Sequence, residues 1–198
     1  ILKIFPTAEE RQIKNILTID RSKFHAPQGL SQDKFEEEIK KLETQKQAVL
    51  ANLKDGQAWF SFGYTKEFLN DHAGAAAAWE KAFELQPYNF MFASNLANDY
   101  QYFLKDYPKA EYYYLKVLEL QPGSSTAFTG LSDLYRFNWK ASQNKLESML
   151  LTAVKKDSAS AVAYYTTLVE FFASAGNLDK AKTYLAEVAK LKPEAATQ

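Results

Sequence analysis

Residues able to do acid–base or metal chemistry are few in this sequence. Its 198 residues include two histidines, His25 and His72, and no cysteine. Without thiols there is no disulfide, no thiolate nucleophile and no Cys-based zinc or iron–sulfur site. His25 lies beside Pro27 and Gly29 with no Ser or Asp constellation of the triad kind around it. His72 falls at a turn between two expected helices and is read as a solvated turn residue. Glu36-Glu37-Glu38 followed by Lys40-Lys41 has enough carboxylates for a metal, but not in converging directions. Consecutive helical residues diverge by about 100°, so they cannot close on one ion. Glu36 with Lys40, and Glu37 with Lys41, stand four apart and are expected to pair along the helix surface. Gly56, Gly63 and Gly74 are too scattered for a phosphate-binding loop. No catalytic residue, cofactor or metal is expected, and the chain is read as a non-enzyme.

The charge balance removes two further classes of partner. Lys plus Arg and Asp plus Glu both number 24. A net charge of zero offers no bulk attraction to nucleic acid or anionic lipid. Tyr112-Tyr113-Tyr114 therefore lacks the electrostatic half of a base-stacking platform. The 46% hydrophobic and 15% aromatic content excludes a disordered chain. Only 7 Gly and 6 Pro leave few breaks, which favours long helices. No apolar run approaches the roughly 20 residues that span a bilayer, and no signal peptide is visible. The opening Ile1-Leu2-Lys3-Ile4-Phe5 is read as an apolar tail packed on the first helices, the alternative being the stub of a membrane anchor. The sequence does not indicate a compartment.

The elements that position any functional surface are betrayed by an internal repeat. Ala75, Ala110, Leu146 and Ala181 are spaced 35, 36 and 35. Trp79, Tyr114, Leu150 and Leu185 keep that spacing, as do Ala82, Val117, Ala153 and Val188, and then Pro87, Pro122, Ser158 and Pro193. Within a unit the offsets of 4, 7 and 12 put the first three on one helix face and the last just past its end, where Pro stops a helix. A preceding helix is marked by Trp59, Phe62, Gly63; Ala93, Leu96, Ala97; Phe128, Leu131, Ser132; and Tyr165, Leu168, Val169. Extra residues fall in the internal turns around Lys105–Pro108 and Asn138–Asn144. Turns are expected near residues 71, 106, 141 and 176.

This pattern resembles the tetratricopeptide repeat, Trp-x2-Leu-Gly-x2-Tyr … Ala-x3-Phe … Pro. The first unit reads Trp59-x2-Phe62-Gly63 … Ala75-x3-Trp79-x2-Ala82-x4-Pro87, and the second and fourth follow it closely. The third departs at Leu146 and Ser158. Lys66 stands where an aromatic is usual, so the first unit is expected to be loosely packed near its turn. The expected fold is all-α: a right-handed α-solenoid of four helix pairs (about 56–89, 90–124, 125–160 and 161–195). Residues 1–55 form an N-terminal helical cap with helices at about 8–19 and 32–54. Thr7 to Glu10 has capping-box spacing. Phe35, Ile39, Leu42, Val49 and Leu53 form a stripe expected to pack on the first repeat rather than in a coiled coil.

The resemblance also implies where a partner would sit. In such arrays the first helix of each pair lines a concave groove. The residues implicated here are Phe60, Tyr64 and Glu67; Met91, Ser94, Asn95, Asn98, Gln101 and Tyr102; Thr129, Asp133 and Arg136; and Thr166 and Glu170. The centre is expected where the second and third repeats meet. A clamp for chaperone C-terminal carboxylates is not expected: Asn95 matches, but Phe60, Tyr64, Thr126 and Gly130 replace the residues that would complete it. The function read is binding of a peptide or protein segment, without nucleic acid or metal. The alternatives are self-assembly through Leu178, Tyr184, Leu185, Val188 and Leu191 on the last repeat, and the helical arm of a larger enzyme.

Overall fold

The computed structural model describes residues 7–191, and among them every regular element is helical. They fall into two compact units, the first running to Asp106 and the second starting at Tyr107. The division lies inside the second expected repeat.

The first unit holds α1 (Ala8–Ile16), α2 (Gln32–Ala51), α3 (Gly56–Phe68), α4 (His72–Leu85) and α5 (Phe90–Tyr102). Polar caps set the helix starts, as orphan N–H groups require. Thr7 and Glu10 form the reciprocal capping box, and Ser31, Asp55, Asp71 and Asn89 cap α2 to α5. α1 ends three residues earlier than expected and α2 ends at Ala51 rather than 54. The Asn52 side chain accepts from the Lys54 N–H at 3.1 Å, a local bond that competes with the helix. Ile39, Leu42 and Val49 are buried, and α2 packs along α3; Leu53, past the helix end, is exposed.

Close approach of α3 and α4 depends on one glycine. A Cβ on Gly63 would lie 2.6 Å from the Trp79 ring and 3.0 Å from the Ala75 carbonyl oxygen. The Trp79 Nε1–H donates to the Phe60 carbonyl at 3.1 Å, and the Phe60 ring stacks between Trp79 and Phe92.

Two expectations fail in this unit. Lys66 does not loosen the turn. Its side chain is buried, donating to Asp71 Oδ2 at 2.8 Å and to the Thr18 carbonyl at 3.1 Å. An ion pair thus fills the space of the usual aromatic and ties the end of α1 to the α3–α4 turn. The backbone continues the seam, with His25 N–H donating to Leu69 O at 2.9 Å and Asn70 Nδ2–H to His25 O at 2.8 Å. The carboxylates at 36–38 also choose other partners. Glu36 pairs with Arg21 at 2.5 Å and Glu38 with Lys41 at 3.0 Å, because Arg21 in the preceding loop reaches Glu36 directly.

The second unit holds α6 (Tyr107–Leu120), α7 (Ser125–Asp133), α8 (Asn144–Lys156), α9 (Ala161–Ser174) and α10 (Leu178–Leu191). The extra residues of the third repeat are absorbed by a wide turn. α7 runs into a π-helical turn at Leu134–Asn138, where the Trp139 N–H reaches Leu134 O at 2.6 Å, and then a 3₁₀ turn at Lys140–Ser142. Leu146, Leu150 and Ala153 are buried although this repeat matches the pattern least well. Gly130 lets Tyr114 slide beneath α7: a Cβ there would meet its ring at 2.3 Å.

The fourth repeat keeps two landmarks of its first helix, Leu168 and Phe172, buried as expected but departs from the pattern at the first. Tyr164, Leu168 and Phe172 are buried, while Tyr165 is half-buried and stacks on Tyr184. Leu185 is 47% exposed, whereas Trp79, Tyr114 and Leu150 at the same register are buried. Pro193 and the Ile1–Phe5 tail lie outside the described residues.

Candidate functional site

In the first unit the first helices of neighbouring pairs meet, as the 4.6 Å stack of Phe60 on α3 against Phe92 on α5 shows. The surface beside that stack carries Tyr64, Met91 and Tyr102, which are 53%, 50% and 42% exposed. These side chains follow the same helices as the buried Phe62, Phe92 and Leu96, so exposure is a matter of face and not of fraying. Asn98 is exposed, and Ser94, Asn95 and Glu67 are partly covered. Asn95 Nδ2–H donates to its own helix at Met91 O, 2.8 Å away. Two expected surface residues are not free faces. Phe60 is held in the aromatic stack, and Gln101 is fully buried because it falls on the inward side of α5.

In the second unit α7 and α9 are neighbours, with Phe128 edge-on to Tyr164 at 5.3 Å. Here the structure brings two expected residues together: Arg136 donates to Glu170 at 3.2 Å. The guanidinium also lies 4.8 Å from the exposed Phe137 ring. Thr129 is exposed, Asp133 partly so, and Thr166 returns its hydroxyl to Val162 O at 2.8 Å. The first unit thus presents an aromatic–amide face, and the second a face carrying charge of both signs.

Two arrangements escaped the sequence reading. His72 is not a solvated turn residue. Its Nδ1 lies 2.7 Å from Asp99 Oδ1, and Phe103 stacks on its ring at 3.8 Å. Burial, against the opposing pull of His72, pushes the Asp99 carboxyl up to about 6. No local spacing links residues 27 apart on different helices.

The other arrangement was legible in principle. Lys145 pairs with Glu111 at 2.6 Å, and Lys180 with Glu147 at 2.6 Å. Each Glu follows a small or apolar landmark (Ala110, Leu146), and each Lys precedes the next one (Leu146, Ala181). Tyrosine hydroxyls complete the ladder: Tyr135 donates to Glu111, and Tyr184 to Glu147 at 2.5 Å. Burial and then the carboxylate partner hold both phenols above their ordinary range. Burial raises the Glu147 carboxyl, but the bonds from Lys180 and Tyr184 outweigh it and keep it below its ordinary value. This ladder joins one repeat to the next, so its role is structural.

Among the described residues no group of three or more His, Asp or Glu side chains could hold a metal ion, and no helix is long and apolar enough to cross a membrane.

A family model, the tetratricopeptide repeat, matches residues 56–89. Solved structures extend the likeness across most of the chain. A crystal structure of MamA aligns with a TM-score of 0.61 at 12% identity, covering 88% of this chain and 99% of that one. MamA from Desulfovibrio magneticus RS-1 aligns at 0.56 with 19% identity, covering 79% and 86%. YrrB, described as a TPR protein with an unusual peptide-binding site, aligns at 0.57 with 16% identity, covering 82% and 81%. At these identities the likeness shows the fold: an all-helical array of tetratricopeptide-type pairs. No curated protein matches the sequence.

Proposed function

Given a chain that carries a tetratricopeptide repeat and has the fold of tetratricopeptide repeat proteins, we propose that it holds a peptide or protein segment against the exposed faces of its first helices. The reading is non-catalytic: the chain supplies contact surface, and chemistry belongs to whatever it binds. One observation carries this. Tyr64, Met91 and Tyr102 stand about half exposed on α3 and α5, whose other faces are packed solid. Tyrosine and methionine side chains are enriched in the buried cores of protein interfaces, where they supply large contact area. The peptide-binding site described for YrrB, which shares the fold, supports the same use of the scaffold. The surface residues of this reading are Tyr64, Met91, Asn95, Asn98 and Tyr102 in the first unit, with Phe60 behind them in the aromatic stack, and Thr129, Asp133, Arg136 and Glu170 in the second.

Photo-crosslinking tests it. A benzoyl-phenylalanine placed at Met91 or Tyr64 in the full chain, expressed in its host, is expected to capture a discrete partner. The same probe at Leu115, exposed on the second helix of a pair, is expected to capture none. Capture at Leu115 with nothing at Met91 or Tyr64 would transfer the working surface to the second helices.

A further inference from the structure

We propose that the His72–Asp99 contact is a proton switch: uptake of one proton by the pair tightens the end of α5 against the start of α4. The geometry has three parts. His72 opens α4 directly after its N-cap Asp71, while Asp99 sits one turn before the end of α5. Their 2.7 Å contact joins two helices through one shared hydrogen-bond position. Phe103, just past α5, closes the other side of the imidazole at 3.8 Å and 12° between planes. Finally, Asp99 is buried, and its Oδ2 has no hydrogen-bond partner. A buried carboxylate with one oxygen unsatisfied is costly, and a proton on the carboxyl removes that buried charge.

The surroundings reinforce that sign. Glu67 on α3 and Asp71 in the turn both act on Asp99 to disfavour its charge. Lys66, the nearby cation, is committed to Asp71 at 2.8 Å. Tyr100, next along α5, donates to Glu80 of α4 at 2.7 Å and is influenced by Asp106 as well. Apart from the imidazole itself, then, no free cation faces the carboxyl among these groups.

The linkage follows from the direction. The Asp99 carboxyl is raised from its ordinary value of 3.8 to about 6 in the folded chain. Its contribution is therefore fully present below about 4 and is lost as pH rises through about 6. The proton taken up is the one on the Asp99 carboxyl, whose other oxygen then needs no further partner charge. The end of α5, where the Phe103 and Leu104 N–H groups donate to Asp99 O at 3.0 and 2.9 Å, is the segment that responds. α5 also carries Asn95, Asn98 and Tyr102, but the switch does not depend on any partner.

Hydrogen exchange of the Phe103 and Leu104 amides in the full chain, corrected for intrinsic rates, tests the switch. Protection is expected to rise by about tenfold from pH 7.5 to pH 5, the ratio that a shift from 3.8 to about 6 implies. In Asp99→Asn it should stay flat over that range. Equal rises in wild type and variant, or no rise in wild type, would overturn the proposal. If the variant fails to fold, a carbon-detected titration of wild type decides. The Asp99 carboxyl and the Phe103 amide should follow one curve centred near 6, and a carboxyl titrating near 4 would overturn the switch.

Discussion

Replacing Trp79 by alanine is expected to lower the stability of the first unit by about 3–5 kcal/mol in chemical denaturation. The indole is almost completely buried and fills the groove that Gly63 leaves open. Its Nε1–H satisfies the Phe60 carbonyl, and its ring carries one side of the Phe60–Phe92 stack. Truncation therefore removes apolar burial, opens a cavity beside a glycine that cannot fill it, and frees an aromatic neighbour. Small residues Ala75, Ala78 and Ala82 on the same helix leave little that could collapse inward. A loss below about 1 kcal/mol would mean that the helix register is wrong.

Asp71→Ala is expected to cost a similar amount, about 3–5 kcal/mol. Asp71 has two roles. Its Oδ1 caps α4 by accepting from the Gly74 N–H at 3.0 Å, and its Oδ2 neutralises the buried Lys66 ammonium at 2.8 Å. Removing the carboxylate leaves a charge inside the fold with only the Thr18 carbonyl to receive its hydrogens. The companion double variant, Lys66→Met with Asp71→Asn, keeps a capping side chain and removes both charges. It should be far less damaging than the single change, because a buried ion pair contributes little net stability while a broken one is heavily penalised. Equal destabilisation by the single and double variants, measured by urea denaturation, would contradict this account of the turn.

What the sequence made legible and what it hid differ in physical kind. The buried landmarks Ala75, Trp79 and Ala82, with their counterparts at 110, 114 and 117, were readable because helical periodicity projects them on one face. The Thr7–Glu10 box was readable because both of its bonds are local. Lys66 was misread because repeat patterns describe shape, and a buried cation can occupy an aromatic's place when an N-cap carboxylate lies five residues on. His72 was misread for the complementary reason: its partner arrives from another helix. Tyr164 is buried in place of Tyr165 although Leu168 and Phe172 keep the expected phase. The reason is that its ring packs edge-on to Phe128 and its hydroxyl donates to Asp157 at 3.1 Å, partners that periodicity does not reveal. The sequence pattern put Phe60, Tyr64, Met91, Gln101 and Tyr102 all on the candidate surface; Tyr64, Met91 and Tyr102 are exposed, whereas Phe60 is held in a stack and Gln101 is buried. Both are side chains whose polarity says nothing about which neighbour they pack against.

The claim that the first helices form the binding face has a direct measurement. The segment captured by the Met91 probe is synthesised as a peptide and titrated by calorimetry into the full chain and into the Tyr64→Ala, Met91→Ala double variant. Both side chains are about half exposed, so the melting temperature should hardly change. Binding should weaken by more than about 1 kcal/mol, as loss of interface anchors does. If the double variant binds as tightly as wild type while Leu185→Asp abolishes binding, the first-helix surface is not the working face, and α10 is.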